Sequence, residues 1–215
     1  MAKLIIARHH ESEWNKLGQW TGLEDVRLTP YGCEKSEEMG TLLQATYPDL
    51  HIDYIFTSKL IRAEQTLNCM LKAMHIDPSS IPTEHETALN ERDYGDYTGK
   101  NKWDIKIQVG EDDFDSIRRD WDHHIPRGET LKMVYERSVP FFISTIIPLL
   151  KEGKNILITS HGNTIRTLVK YIDNISDEGV RDLEIPFGSI LVYDYDESGV
   201  VTNKKILQVD SRVNA

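Results

Sequence analysis

Cysteine is scarce in this chain, which carries only Cys33 and Cys69 among its 215 residues. So low a content excludes the disulfide framework of small secreted domains, and neither cysteine stands in a spacing typical of metal or redox motifs. We therefore predict two reduced thiols on helices, with a catalytic or bridged cysteine as the alternative.

Long hydrophobic runs are missing as well. The apolar run at the amino terminus, Leu4 to Ala7, ends where charged residues begin. It is too short for a signal peptide or a membrane span. The sequence predicts a cytoplasmic protein with no membrane partner.

Basic residues are fewer than acidic ones, with 25 Lys and Arg against 35 Asp and Glu, so the formal net charge is −10. This balance argues against nucleic acid or an anionic membrane surface as a partner. An anionic small-molecule substrate would then need a local cationic pocket.

Length and patterning predict one α/β domain over residues 1–215. Short apolar runs typical of buried strands alternate with segments of helical periodicity. The expected fold is a mostly parallel central sheet with helices on both faces. Residues 77–128 are irregular and interrupted by Gly and Pro, and we expect them to form an insertion that covers the substrate as a lid. The runs expected to be strands are 4–7, 54–57, 156–159, 189–193 and 205–209.

Several local features can be compared with the structure. Ser58 is a plausible N-cap for the helix that follows the second strand. A long helix is predicted from Thr130 to Leu150 despite two prolines. Further expectations are short helices at Trp103 to Val109 and Phe114 to Trp121, and a mobile tail at Asp210 to Ala215.

Arg8 and His9 directly follow the first strand. In an open α/β sheet, ligands bind at the carboxyl ends of the strands. A guanidinium group binds phosphate oxygens in a bidentate manner, and a neighbouring imidazole can attack phosphorus or move a proton. Alone, this pair is a weak signal.

A second histidine stands in the same context 161 − 9 = 152 residues later. His161 follows the apolar strand that starts at Ile156, and a helical segment begins directly after it. Both histidines therefore lie at strand-to-helix junctions, where they can converge on one site. For the other histidines, an exposed or hydrogen-bonded side chain is the favoured interpretation.

Two motifs and several ordered blocks carry a resemblance. The chain has Arg-His-x-Glu-x-x-x-Asn after the first strand and His-Gly-Asn-x-x-Arg near the carboxyl terminus. It resembles the histidine phosphatase superfamily, and more closely the cofactor-dependent phosphoglycerate mutase branch. The blocks that follow the family order are Trp20–Gly22, Ser58–Ala63, Leu89–Gly95, Gly99–Lys102, Arg118–Arg119 and Ile185–Gly188.

The resemblance implies roles at the reacting phosphorus. His9 would be the nucleophile that becomes a phosphohistidine. Glu91 would be the general acid-base residue, although without the motif a surface glutamate is the favoured interpretation. The side chains implied to surround the phosphoryl group and offset its charge are those of Arg8, Asn15, Arg62 and His161.

His161 admits other roles, since an imidazole can also be a base or a metal ligand. No second ligand stands beside it at a typical metal-site spacing, so stabilising the phosphoryl group is the better interpretation. Without the resemblance, Arg62 would be interpreted as an exposed arginine, because most arginines are exposed. The family block Ser58–Ala63 favours a place in the site instead.

The resemblance also implies how the far part of the substrate is bound. A cationic wall would hold its carboxylate and distal phosphate, while Thr21 and Gly22 offer a hydroxyl and backbone N–H groups. Gly162 and Asn163 would complete the site, with Asn163 fixing local geometry. For Arg118 and Arg119, a solvated pair on a helix is the alternative. The wall residues are Arg92, Tyr94, Lys102, Arg118 and Arg119.

The implied activity is the interconversion of 3-phosphoglycerate and 2-phosphoglycerate. It would be primed by 2,3-bisphosphoglycerate and need no metal, with phosphoglycerates as partners and a homo-oligomer as a compatible assembly. The rivals are a phosphatase of the same superfamily, a bisphosphoglycerate synthase activity, and a non-catalytic protein that binds phosphorylated ligands.

The chain departs from the family pattern at two residues. His10 replaces the usual glycine after the nucleophile, and Asp93 replaces a usual histidine. Histidine tolerates a positive φ less well than glycine, so the backbone at His10 has to be compared with the structure. We expect His10 to lie close to the phosphate pocket and to affect mainly the pH dependence. The segment between Arg119 and Gly128 is also shorter than in long mutases.

Overall fold

The computed structural model describes residues 1–210, so most of the predicted tail lies outside the described residues. Strands of this part form one six-stranded sheet in the order β3-β2-β4-β1-β5-β6. The first four of these strands run parallel, β5 is antiparallel to β1, and β6 is antiparallel to β5, so β5 alone is reversed in this sheet. The predicted mostly parallel sheet is confirmed. Its strands are β1 (Ala2–Arg8), β2 (Tyr54–Ser58), β3 (Thr83–Glu86), β4 (Ile156–Ser160), β5 (Ser189–Tyr195) and β6 (Val201–Gln208).

Helices cover both faces of the sheet, because the side chains of β1 alternate between two cores. Leu4 and Ile6 pack in a cluster with residues of α6 and α8, whereas Ile5 and Ala7 pack with α2 and α3. The helices are α1 (Glu13–Lys16), α2 (Pro30–Thr46), α3 (Ile61–Ala73), α4 (Lys102–Val109), α5 (Glu111–Arg119), α6 (Leu131–Phe141), α7 (Ile147–Lys151) and α8 (Gly162–Ile172).

The predicted long helix is continuous from Leu131 to Lys151, but its middle turn, Phe142–Ile146, is a π-helix. Pro140 precedes this turn, and a proline removes one backbone donor from the helix. By length and composition this helix is apolar enough to cross a membrane. Its Phe142 and Ile146 are fully buried against the sheet, as in the core helix of a globular domain.

The predicted insertion contains β3, α4 and α5, and it has a small apolar cluster of its own. The two predicted helices are present, each with a slightly earlier start. Strand β3 escaped prediction because its sequence Thr-Glu-His-Glu is polar and lies at the sheet edge. The cluster consists of Trp20, Tyr94, Ile105, Phe114, Ile117 and Ile125.

The prediction of two reduced thiols is wrong. Cys33 of α2 and Cys69 of α3 form a disulfide, with their Cα atoms 6.0 Å apart. The two helices pack closely because Gly40 lies against α3, where a Cβ atom would come within 2.3 Å of the Met70 carbonyl oxygen. The cysteines are 36 residues apart in the chain, and no local pattern reveals this contact.

Candidate active site

The sheet register brings the two motif histidines together. Arg8 is paired with Ser160 on the adjacent parallel strands β1 and β4, so the next residue of each strand emerges at the same edge. The imidazole rings of His9 and His161 lie 4.9 Å apart between centroids. The convergence inferred from the two strand-to-helix junctions is present in the fold.

The tautomer of His9 follows from its surroundings. Its Nδ1 lies 2.6 Å from the carbonyl oxygen of His10, which can only accept, so Nδ1 carries the hydrogen. The lone pair is then on Nε2. Burial lowers the pKa of His9 well below its usual value, and the charges of Arg62 and Arg8 lower it further. The His9 imidazole is therefore neutral at physiological pH, with a lone pair on Nε2.

His161 is fully buried and is oriented by Ser58. Its Nε2 lies 2.7 Å from the Ser58 hydroxyl oxygen, while its buried Nδ1 has no partner among the described residues. Burial, followed by the charge of Arg62, lowers the pKa of His161 well below its usual value. The prediction of Ser58 as an N-cap is wrong. Helix α3 is capped at Leu60 without a side-chain bond, and Ser58 ends β2 beneath His161.

Arg8 and Arg62 supply the positive charge beside the histidines. The guanidinium of Arg8 lies 3.7 Å from the centre of the Phe187 ring and donates to the carbonyl oxygen of Ile185. Arg62 donates to the carbonyl oxygens of Gly22 and Glu24, both at 2.8 Å. Burial lowers the pKa of each arginine to about 10, so both stay charged at neutral pH. The Nε atoms of both are buried without a partner within the described chain.

Glu91 is 8% exposed and lies where a loop meets the start of α8. Its Oε1 accepts from the backbone N–H groups of Arg92 at 2.8 Å and Asn163 at 3.3 Å. Arg137 of α6 fixes this loop, since one of its nitrogens donates to the carbonyl oxygens of Asn90 and Glu91. The carboxylate is thus held in place through Oε1 by backbone groups.

These groups line one cavity of about 290 Å³. The structure brings thirteen of the fifteen predicted site residues to its lining, and His161 lies directly behind His9. Other lining residues include Gln19, Trp20, Arg166 and residues 183–186. The predicted residues that line the cavity are Arg8, His9, Asn15, Thr21, Gly22, Arg62, Glu91, Tyr94, Lys102, Arg118, Arg119, Gly162 and Asn163.

Lys102, Arg118 and Arg119 come from the insertion and line the same cavity. Burial, and then the charges of Arg118 and Arg8, lower the pKa of Lys102 to about 8. Arg119 is paired with Glu184 at the exposed rim. We call these three residues the far end, and we call His9, His161, Arg8 and Arg62 the phosphate end.

Arg92 does not line the cavity, although the resemblance placed it in the cationic wall. It is fully buried, and its guanidinium donates to the carbonyl oxygens of Ile117 at 2.9 Å and Glu129 at 2.7 Å. The Arg92 side chain points away from the cavity, because the carbonyl oxygens near the end of α5 and just before α6 accept its hydrogen bonds. The interpretation of Arg92 as a direct substrate contact is corrected to a supporting position.

The smaller polar groups occupy defined positions. The Thr21 hydroxyl is buried and has no partner among the described residues. The Asn15 side-chain oxygen accepts from the Ser12 hydroxyl at 2.7 Å, which fixes the side chain at the start of α1. Asn163 donates to the Tyr94 hydroxyl oxygen at 2.8 Å, so the start of α8 is joined to the insertion.

The two departures from the family pattern fit without strain. His10 is absent from the residues with positive φ, so its backbone needs no glycine. Its ring packs against Gly188 and accepts from the Glu11 N–H at 2.8 Å. His10 does not line the cavity, but it lies directly beside the phosphate end, since its carbonyl oxygen is 2.6 Å from His9 Nδ1. Burial, then the charge of Arg8, lowers its pKa to about 4. Asp93 accepts from the Gly95 N–H and so fixes the turn that follows it.

His9, Glu91 and His161 offer three possible metal-ligand atoms within 4.8 Å of one another. Spacing along the chain did not reveal Glu91 as the third member of this set. Zn²⁺ accepts such ligands. However, the cluster lies beside Arg8 and Arg62, whose charges oppose a cation, and the absence of a metal from the reaction stays a prediction.

Comparison with known proteins gives the family. The family model of the histidine phosphatase superfamily (branch 1) matches residues 4–206. This chain belongs to that superfamily. A protein of Treponema denticola named 2,3-bisphosphoglycerate-dependent phosphoglycerate mutase is 40% identical over 238 residues, covering 99% of this chain and 95% of that protein. One of Parvibaculum lavamentivorans with the same name is 40% identical over 204 residues, covering 95% of each chain.

Solved structures with a similar fold match nearly the whole chain. YhfR of Bacillus stearothermophilus matches with a TM-score of 0.77 at 23% identity and covers 100% of this chain and 98% of that one. Mycobacterial glucosyl-3-phosphoglycerate phosphatase matches with a TM-score of 0.76 at 17% identity and covers 98% and 99%. At these identities the likeness supports the fold alone.

Proposed function

We propose that this superfamily member is a 2,3-bisphosphoglycerate-dependent phosphoglycerate mutase that interconverts 3-phosphoglycerate and 2-phosphoglycerate. One observation carries the proposal: a single cavity has a nucleophilic histidine between arginines at the phosphate end and a second set of cations at the far end. A phosphoglycerate has anionic groups at both of its ends. The names of relatives at 40% identity support the same activity.

The bisphosphoglycerate primer fits the side chains of the cavity. The Nε atoms of Arg8 and Arg62 and the hydroxyl of Thr21 are buried donors without a partner in the described chain. Phosphate and carboxylate oxygens are strong acceptors for such groups. Arg8 and Arg62 would hold one phosphate, and the far end would hold the other. When bound, the primer supplies the phosphoryl group that first loads His9.

In the first half-reaction the Nε2 lone pair of His9 attacks phosphorus, and the bond from phosphorus to the leaving oxygen breaks. Arg8, Arg62 and the buried His161 ring lie where they offset the charge of the equatorial oxygens. Glu91 delivers a proton to the leaving oxygen. The product of this step is phosphohistidine and a free hydroxyl on the bound acid.

The second half-reaction is the same step in reverse on the free hydroxyl of a bound 3-phosphoglycerate. Glu91 removes the proton of that hydroxyl while its oxygen attacks the phosphoryl group on His9, and the bond from phosphorus to Nε2 breaks. For a mutase, the bound acid must then reorient inside the cavity so that its other phosphoryl group returns to His9, and the far end has to retain the acid meanwhile. We also propose that the enzyme is cytoplasmic and that its reaction needs no metal.

The first experiment tests the nucleophile. Incubation with labelled 2,3-bisphosphoglycerate should give acid-labile label that maps to His9 and is absent from His9→Ala. Chelation of divalent metals should leave labelling and turnover unchanged. Label that persists in His9→Ala, or that maps to His161, contradicts the assignment.

The second experiment separates the mutase from a phosphatase through Arg118. The wild type should convert 3-phosphoglycerate to 2-phosphoglycerate with little release of inorganic phosphate. Arg118→Ala removes a charge at the far end, so mutase turnover should fall by more than about tenfold, while slow phosphate release from His9 persists. Both products are measured in one reaction. If phosphate is already the main product of the wild type and Arg118→Ala leaves the ratio unchanged, the protein is a phosphatase.

A further inference from the structure

We propose that Arg92 and Arg166 are positioning residues that cap the carboxyl-terminal end of α5 and thereby determine where Arg118 and Arg119 stand over the cavity. The inference deepens the proposed function and rests on the assignment of those two arginines to the far end of the substrate. Neither Arg92 nor Arg166 needs to contact the substrate for this role.

Three of the last four carbonyl groups of α5 accept hydrogen bonds from side chains of other segments. The last four carbonyl groups of an α-helix have no partner within the helix. Here the Ile117 oxygen accepts from Arg92 Nη1 at 2.9 Å. The oxygens of Arg118 and Arg119 accept from the two terminal nitrogens of Arg166, at 3.1 and 2.8 Å. Only the Ser116 oxygen accepts from backbone, the Asp120 N–H.

Each guanidinium also binds a fixed point elsewhere. Arg166 projects from α8, which follows directly on His161, and it donates further to the carbonyl oxygen of Val180 at 2.7 Å. Arg92 follows Glu91 and donates to the carbonyl oxygen of Glu129 at 2.7 Å. The wall is thereby tied to the same two segments that carry His161 and Glu91.

Apolar packing supplies little of this positioning. Helix α5 has nine residues, and Phe114 and Ile117 are its two buried side chains. They belong to the small cluster of the insertion and not to either core of the sheet. A helix of nine residues is only marginally stable by itself. The hydrogen bonds at its end therefore contribute strongly to fixing its position.

Arg92 and Arg166 are cations that lie next to two other cations, Arg118 and Arg119, so their residue type needs an explanation. Placing Arg92 and Arg166 beside Arg118 and Arg119 costs electrostatic energy, which the negative end of the helix dipole partly offsets. Burial lowers the pKa of Arg166 to about 10, so it is charged at neutral pH. A planar guanidinium can serve two carbonyl oxygens at once, whereas a lysine ammonium cannot reproduce that fork. The planar geometry of the guanidinium, and not its charge alone, is therefore what allows Arg166 and Arg92 to hold the end of α5.

The experiment compares Arg166→Lys and Arg92→Lys with the control Arg127→Gln. Arg127 also belongs to the insertion, but it pairs with Asp96 and its side chain is 84% exposed. In the lysine variants the KM for 3-phosphoglycerate should rise by about tenfold with a smaller change in kcat, while affinity for orthovanadate, which needs only the phosphate end, stays within about twofold. Hydrogen exchange at residues 116–120 should accelerate by about tenfold. The control should change neither.

Two outcomes overturn the inference. One is unchanged exchange at residues 116–120 in both lysine variants. The other is accelerated exchange with an unchanged KM, which would disconnect the cap from binding. Arg166→Gln is an additional variant, and if it does not fold, the lysine variants still decide. If the wild type lacks mutase activity, the proposed function fails, whereas the exchange result still reports on the cap.

Discussion

The phosphate end and the far end of the cavity are built from different parts of the fold. His9 and His161 follow the two adjacent parallel strands at the centre of the sheet, and their positions are fixed by main-chain pairing. Lys102, Arg118 and Arg119 belong to short helices of the insertion, and they are only half-buried. The phosphate end is therefore held by the central sheet, whereas the far end depends on the packing and hydrogen bonds of the insertion.

Arginine side chains that bind backbone carbonyl groups connect the two parts. Arg62 holds the loop at Gly22 and Glu24, Arg137 holds the Glu91 loop, and Arg166 holds the end of α5. Each guanidinium binds backbone carbonyl groups of a segment that is distant in sequence. Loops without a large core of their own are thereby kept at fixed distances from the histidines. The difference between the two ends predicts distinct effects of substitution.

The largest effect is expected at the phosphate end. Arg62→Gln removes a buried charge beside His9 and two bonds to backbone carbonyl groups, so phosphohistidine formation and mutase turnover should both fall by about 100-fold or more. The exposed Arg27 on the neighbouring loop provides the control Arg27→Gln, which should be close to wild type. Rapid-quench labelling and steady-state kinetics measure the two quantities. Normal labelling in Arg62→Gln would remove the proposed distinction between the ends.

A smaller, pH-dependent effect is expected at the far end. The pKa of Lys102 is lowered to about 8, so in the free protein its charge is lost as the pH rises through that value. A bound anion favours the charged form, and affinity for 3-phosphoglycerate should therefore fall severalfold between about pH 7 and pH 9. Lys102→Arg keeps its charge over this range and should flatten the profile. A KM profile that is identical in the two proteins would contradict this assignment.

The smallest effect on activity is expected from the disulfide, which joins α2 to α3 away from the far end. Replacing both Cys33 and Cys69 by serine should lower the free energy of unfolding by roughly 3–4 kcal/mol and Tm by about 10 °C. Turnover at 25 °C should stay near wild type. Thiol titration of the unfolded protein should find no free thiol before reduction. Two thiols without reductant, or equal melting temperatures, would show that the bond contributes nothing.

The phosphate end could be predicted from sequence because its signals are local. A short apolar strand followed by Arg8 and His9 places both residues at a sheet edge, and the same pattern at His161 gives the partner. The family blocks extended this to Arg62 and Glu91. The helical segments predicted after the second strand and after His161 are α3 and α8, and the alternation within β1 is consistent with its two cores.

The remaining features depend on contacts that leave no local pattern. Arg92 and Arg166 both stand in family blocks, but a sequence does not show whether a guanidinium points into a cavity or beneath its wall. Ser58 has the residue type of an N-cap, and only the position of β2 beside β4 brings it to His161. The bond between Cys33 and Cys69 likewise depends on how two helices cross.

The position of β1 also governs the order in which the chain can fold. This strand is the first to be synthesised, yet both of its neighbours, β4 and β5, come from residues 156–195. Until those residues emerge, the backbone groups and apolar side chains of Ala2–Arg8 have no sheet partner, and non-local pairing of this kind folds slowly. Strand β1 therefore stays without a sheet partner until residues 156–160 have been synthesised. Only then can His9 and His161 come together.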